Sequence, residues 1–138
     1  MREKIERVVN LITENVETLY HSSNSRIVSP SLTHRTRGKQ LRAFYCTSNL
    51  QDAYSWARGY NYRYIHRVLI SPDVFFIEVD HPYTMPPTHE DDLIVHSKVR
   101  EAKAQGFIRR FTNFPIEEEI GIIDLNVIKD IDLYDELF

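Results

Sequence analysis

Apolar residues near the start of the chain recur every three or four positions, which places them in one stripe on a helix. The stripe consists of Ile5, Val8, Val9, Ile12, Val16 and Leu19. Acidic residues dominate the polar face, so the pattern predicts a helix docked on a sheet rather than on a membrane. Thr18 to His21 then predicts a short strand, and the serines and asparagine that follow are typical of a loop.

The middle of the chain alternates between irregular and regular patterns. Residues 29–42 are polar and basic without periodicity, which predicts a long exposed loop. The pattern predicts a strand over residues 43–47 and a helix over residues 50–58 that ends at Gly59. Ser48 and Asn49 are predicted to cap the start of this helix.

The remaining elements are mostly short strands. A proline-rich irregular segment is expected over 81–87, and a helix over 91–105 with Gly106 just beyond its end. Strands are predicted over 68–70, 74–79, 106–111, 119–124 and 127–131. The pattern as a whole predicts a sheet-dominated α+β fold with about three helices, as a single domain over residues 1–138.

Composition narrows the class of protein. A chain of 138 residues with 42% hydrophobic residues is long enough for one domain with a real core. The single cysteine, Cys46, excludes an internal disulfide and a multi-cysteine zinc site, and its strand position predicts a buried small hydrophobe. No apolar run reaches the roughly 18 residues of a membrane span. We therefore expect a soluble cytoplasmic protein without a membrane partner.

Charge is distributed unevenly along the chain. Between Arg26 and Arg67 eight lysines and arginines stand against one acid, Asp52. From Pro115 onward eight acids stand against Lys129 alone. The net charge of -3 argues against a general nucleic-acid binder, but this total hides a basic first half and an acidic tail.

Three stretches carry candidate chemistry. His21 at a strand end is followed by Ser22 and Ser23, and such a histidine can donate a hydrogen bond to a ribose hydroxyl, although a lone histidine is more often structural. The strand at 43–47 leads directly into the helix at 50–58, forming a corner where an aromatic ring can flank a planar heterocycle. Tyr45 faces away from its neighbour Phe44.

Phe44 and Trp56 are better explained as core residues. Glu119, at the start of a predicted buried strand, is a carboxylate able to stabilise positive charge on a sugar carbon, or else part of a solvated acidic turn. His81, His89 and Glu90 lack metal-ligand spacing, so no metal site is expected.

The order of these motifs resembles the ADP-ribosyltransferase fold. The sequence carries Tyr-His-Ser-Ser at 20–23, Phe-Tyr-Cys-Thr at 44–47 before Ala-Tyr-Ser-Trp-Ala at 53–57, Ala-Lys-Ala-Gln-Gly-Phe at 102–107 and Glu-Ile-Gly-Ile-Ile-Asp at 119–124. The likeness spans residues 20–131. It is greatest to small bacterial and phage members of the His-Tyr-Glu branch, which includes diphtheria toxin and the poly(ADP-ribose) polymerases. Residues 38–57 also resemble the rifamycin ADP-ribosyltransferases.

The resemblance implies a split β-sheet core and transfer of ADP-ribose from NAD to an unknown acceptor, or hydrolysis of NAD. His21 would hydrogen-bond the adenosine-side ribose, Tyr45 would stack on the nicotinamide, and Glu119 would polarise the nicotinamide ribose. Four further residues would contact NAD, namely Ser22, Ser23, Thr47 and Tyr54. The acceptor would be a protein, a nucleic acid or a small molecule.

Several alternatives remain open. The likeness to the rifamycin enzymes extends through residues 68–80, and there the acid would be Asp80. Glycine is usual where Ser22 stands, which favours a catalytically inactive module that binds a nucleotide, a nucleic acid or an acidic protein. An RNA 2'-phosphotransferase needs paired histidines and arginines, which His34-Arg35 and His66-Arg67 offer in a different order. The interleaved aromatic and basic residues 58–67 could stack nucleic-acid bases, wall an NAD pocket or simply pack.

Overall fold

The computed structural model describes residues 18–27, 43–78, 89–110 and 118–138. Within these ranges the chain forms two α-helices and seven strands in two sheets, so the α+β prediction is confirmed. The strands are β1 (Thr18–Ser23), β2 (Phe44–Cys46), β3 (Tyr64–Ile70), β4 (Phe76–Glu78), β5 (Gly106–Arg110), β6 (Glu118–Ile122) and β7 (Ile128–Glu136). The helices are α1 (Leu50–Tyr60) and α2 (His89–Ala102), and a 3-10 turn covers Leu125–Val127.

Three predictions fall on residues outside these ranges. They are the amino-terminal helix up to residue 17, the basic loop over 29–42, and the irregular segment 81–87. Leu19, the last apolar position of the predicted helical stripe, lies in β1 and is fully buried.

The two sheets meet where β1 lies beside β2. The first sheet has the order β1-β3-β7 and is antiparallel throughout. The second has the order β2-β6-β5-β4, with β4 parallel to β5. Among the described residues, one isolated bridge connects the sheets, formed by Tyr20 N donating to Thr47 O at 2.8 Å and Thr47 N donating to Tyr20 O at 2.9 Å. We call this bridge the joint.

The hydrophobic core is divided by the faces of the second sheet. One cluster joins Leu19 and Val68 of the first sheet to Phe44 and Ile120 of the second. A second cluster lies on the opposite face of the second sheet, where Tyr45 and Phe107 pack with Val95 of α2. Alternation along β2 therefore sends Phe44 and Tyr45 to different clusters, as predicted.

Cys46 is 2% exposed, which confirms the prediction of a buried small hydrophobe. Burial raises the pKa of its thiol far above the ordinary value.

The structure corrects two predicted helix ends. Gly59 does not end α1, because the helix continues through Tyr60 and Asn61 takes the left-handed conformation with φ of 59°. Asparagine tolerates that region better than most residues. The second helix ends at Ala102 rather than near Gln105, because Lys103 has φ of 55° and the chain then enters β5 at Gly106.

The last strand is longer than predicted and pairs with basic residues of β3. It runs from Ile128 to Glu136, where sequence alone predicted an end near Ile131. Arg67 donates to Asp132 at 2.7 Å, and Arg63 lies 3.5 Å from Glu136. Part of the charge asymmetry in the sequence is therefore neutralised across neighbouring strands rather than at a ligand site.

Candidate active site at the joint between the sheets

A cavity of about 200 Å³ opens at the joint. Its walls come from β1 and the turn after it, from β2, and from α1 with the residue that follows its cap. The lining residues are Tyr20, His21, Ser22, Ser23, Asn24, Ser25, Tyr45, Cys46, Thr47, Ala53, Trp56 and Tyr62. Five residues predicted to contact NAD lie together here, namely His21, Ser22, Ser23, Tyr45 and Thr47.

His21 is held by the strand that carries Tyr45. Its Nδ1 hydrogen-bonds the carbonyl oxygen of Tyr45, and its ring stacks on Phe44 with centroids 4.1 Å apart. A carbonyl can only accept, so Nδ1 carries the proton, and in the neutral ring Nε2 is an acceptor. A neutral His21 ring can therefore accept a hydrogen bond at Nε2 but cannot donate one there, which corrects the predicted donor role.

Two aromatic side chains give the cavity flat walls. Tyr45 is buried and meets the ring of Phe107 edge to face, at 6.2 Å and 74°. Trp56 on α1 is half-buried, packs against the second core cluster and also lines the cavity. The sequence pattern favoured a core role for Trp56 over a ligand-flanking one, because an aromatic residue on the inner face of a helix has the same pattern in both roles.

The small polar residues of the cavity also hold the local backbone. Ser22 Oγ donates to the carbonyl of Ala53 at 2.7 Å, tying β1 to α1. Ser23 Oγ accepts from the backbone N–H of Ser25 at 3.0 Å, which leaves its own proton for another acceptor. The Ser22 hydroxyl is therefore directed to α1, where a glycine would leave the helix carbonyl without this donor.

Glu119 does not line the cavity. It is 3% exposed, and its Oε1 accepts from Arg109 Nε at 2.7 Å, forming a buried ion pair between β6 and β5. The register pairs Tyr45 with Gly121, and alternation places Glu119 on the same sheet face as Tyr45. The predicted acid thus shares a face with Tyr45, but its charge is engaged by Arg109.

The neighbouring residue, Glu118, connects β6 to the start of α1 through hydrogen bonds. Its Oε1 accepts from the backbone N–H and the hydroxyl of Ser48, at 3.0 and 2.6 Å, and its Oε2 pairs with Arg110 at 3.2 Å. The backbone N–H of Glu118 donates to Asp52 Oδ2 at 3.2 Å. These contacts explain why a run of acids can begin a buried strand.

The other predicted site residues lie elsewhere. Tyr54 does not line the cavity; its hydroxyl donates to Asp135 of β7 at 2.6 Å, and this bond raises its pKa to about 12. Asp80 and His34 lie outside the described residues. His66 is buried and its Nε2 accepts from the backbone N–H of Ile27, whereas Arg67 points to the opposite, exposed face, so this pair does not converge on one site.

Within the described residues, no cluster of histidine, cysteine and acidic side chains is placed to hold a metal ion. None of the helices in those ranges is long and apolar enough to cross a membrane. The chain matches no protein-family model, no curated protein and no solved structure with which it was compared. A functional interpretation therefore depends on the residues and their geometry.

Proposed function

We propose that the cavity at the joint binds NAD, and that the protein is a mono-ADP-ribosyltransferase or an NAD glycohydrolase. The observation that carries the proposal is the meeting of His21, Ser22, Ser23, Tyr45 and Thr47 around one cavity. These residues come from two strands that are distant in sequence and belong to different sheets. The gap between the sheets, crossed by the joint, also fits the split β core that the sequence resemblance implies.

The lining suits the nicotinamide riboside end of the dinucleotide. Tyr45 and Trp56 offer aromatic surfaces to a planar ring. His21 Nε2 accepts from a hydroxyl of the adenosine-side ribose, as the resemblance implies, and the hydroxyl of Ser23 donates to the ligand. Typical pockets for drug-sized ligands measure about 300–1,000 Å³, so a cavity of about 200 Å³ encloses one end of NAD and leaves the other at the surface.

The proposed reaction breaks the bond between the nicotinamide nitrogen and the ribose carbon. Nicotinamide leaves with the electron pair, and positive charge develops on the ribosyl group. The acceptor nucleophile, or water, then forms the new bond at that carbon and loses its proton. A carboxylate beside the ribose stabilises the transition state, and Glu119 has this role in the proposal, which requires its carboxylate to face the ribose once NAD is bound.

Binding can be measured with the protein's own fluorescence. Trp56 is the single tryptophan in the chain and lines the cavity, so NAD binding is expected to change its emission. Tyr45→Ala and His21→Ala are expected to weaken NAD binding. An unchanged Trp56 emission and an unchanged melting temperature at saturating NAD and nicotinamide would contradict the proposal.

Turnover is tested with NAD labelled in the ADP-ribose part and the release of nicotinamide. Glu119→Gln is expected to abolish release while NAD still binds. Glu118→Gln is the matched control, because it alters a buried carboxylate on the same strand and is expected to retain turnover. Both variants need their unfolding free energies measured, because removal of one partner from a buried ion pair such as Arg109–Glu119 costs about 3–5 kcal/mol. Retained turnover in Glu119→Gln with loss in Asp80→Asn would move the catalytic role to Asp80.

A second candidate is a nucleotide-binding module without catalysis. The buried ion pair between Arg109 and Glu119 favours it, because that carboxylate is bound to a cation outside the cavity lining. For this candidate the expected result is quenching of Trp56 by NAD without nicotinamide release, in the wild type and in both glutamate variants.

A further inference from the structure

A pair of stacked tyrosines extends from the cavity to the surface. Tyr62 lines the cavity, and the ring of Tyr60 lies 5.5 Å from it at an interplanar angle of 18°. Tyr60 is 40% exposed. The left-handed residue Asn61 lies between them, and its turn brings the two rings to the same side of the chain. A flat aromatic surface therefore continues outward from the cavity.

Exposed cations flank this surface in the sequence. Arg58 is exposed and bonds Ser55 Oγ at 3.3 Å, and Arg63 is exposed and lies over the ring of Tyr64. No acid occurs between Ala53 and Pro72. The tyrosine pair thus combines a stacking face with nearby positive charge, which is the combination that binds a base attached to a phosphate.

We propose that Tyr60 and Tyr62 form the adenine subsite of the NAD site. This inference rests on the proposed function. The cavity encloses only one ring of the dinucleotide, and the other ring is joined to it through two riboses and a pyrophosphate. The stacked pair offers the second ring a flat contact that begins at the cavity wall, and the exposed Arg58 supplies charge for the pyrophosphate.

A single-stranded nucleic acid is a less suitable occupant of the same surface. Arg63 and Arg67 are paired with Glu136 and Asp132 of the acidic β7, so these two cations contribute little to binding an extended phosphate backbone. A dinucleotide needs one stacking face and charge for a single pyrophosphate. The geometry therefore favours the smaller ligand.

The experiment compares NAD with nicotinamide mononucleotide, which lacks the adenosine. Dissociation constants are measured from Trp56 emission for the wild type, Tyr60→Ala and Tyr60→Phe. Tyr60→Ala is expected to weaken NAD binding by about 5- to 100-fold, the loss that follows removal of one stacked aromatic ring. Binding of nicotinamide mononucleotide is expected to change less than twofold. Tyr60→Phe keeps the ring and is expected to restore NAD affinity, and Leu93→Ala controls for loss of an exposed apolar side chain.

The possible failures are distinguishable. If the mononucleotide binds and Tyr60→Ala leaves NAD affinity unchanged, or weakens both ligands equally, the adenine subsite is wrong while the proposed function stands. If neither ligand binds the wild type, the proposed function itself fails. Tighter binding of a single-stranded oligonucleotide than of NAD, lost in Tyr60→Ala, would assign the tyrosine pair to a nucleic-acid base and overturn the inference.

Discussion

Gly121 is the position where a single methyl group should disturb both stability and the cavity. A Cβ at Gly121 would lie 2.2 Å from Cζ and 2.3 Å from Cε1 of Phe107. Relaxed carbon contacts are about 3.5–4.0 Å, so the ring must withdraw by more than about 1 Å. Phe107 is fully buried against Tyr45, Ile77 and Val95, which leaves little space for this movement.

The expected cost of Gly121→Ala follows from two opposing effects. Overpacking of a filled core costs about 1–3 kcal/mol, and replacement of glycine recovers about 0.5–1 kcal/mol of backbone entropy. We therefore expect a net loss of about 1–2 kcal/mol in the free energy of unfolding. Because Phe107 contacts Tyr45, displacement of its ring should also weaken NAD binding.

This loss is measured by urea unfolding, monitored by circular dichroism and Trp56 emission. An unchanged dependence of the unfolding free energy on urea concentration would indicate a comparable unfolded state. The matched control is Gly59→Ala in α1, where an added Cβ meets no atom within 4 Å. Alanine should stabilise that helix by about 0.5–1 kcal/mol. A Gly121→Ala protein as stable as the Gly59→Ala protein would refute the reasoning.

Three further outcomes follow from the described contacts. Asn49→Ala should lower stability by about 1 kcal/mol in urea unfolding, because the Asn49 side chain caps α1; Asn49→Asp should retain most of it, and equal losses would contradict a capping role. Tyr54 should titrate near pH 12 in the folded protein and near pH 10 when unfolded, so its bond to Asp135 contributes stability that is present below pH 10 and lost as the pH rises toward 12. The absorbance difference at 295 nm between wild type and Tyr54→Phe measures this, and a step near pH 10 in folded protein would exclude the effect. Cys46 should resist a thiol reagent until the protein unfolds, because burial raises its pKa; rapid labelling of folded protein would contradict its burial.

Much of the fold was predictable because local patterns agree with the tertiary structure. The strand at Phe44–Cys46 and the helix after Asn49 follow from alternation and a capping residue, and both are confirmed. The predicted end of α1 at Gly59 was wrong, because the left-handed residue after the helix is Asn61. The sequence pattern favoured Gly59 because glycine is the more usual residue at that position. The extent of β7 was missed because its charged residues are compensated by β3, which lies far away in sequence.

The candidate site was predictable where its residues follow one another in the chain. His21, Ser22 and Tyr45 stood out because their motifs follow one another as the resemblance to ADP-ribosyltransferases implies, and they lie together in the structure. The pairing of Glu119 with Arg109 could not be predicted, because it depends on the register between β5 and β6. Tyr62 was part of an ambiguous aromatic stretch, and only the turn at Asn61 brings it to the cavity.

The joint between the sheets makes the width of the cavity sensitive to substitutions in the core. Because one bridge links the sheets among the described residues, their relative placement depends mainly on side chains of the shared cluster, such as Leu19, Val68, Phe44 and Ile120. A change in volume at any of these positions would alter the width of the cavity without touching a lining residue. Ligand preference could therefore evolve through interior substitutions. A ligand that contacts both sheets would also stabilise their relative placement, because it binds only the folded arrangement.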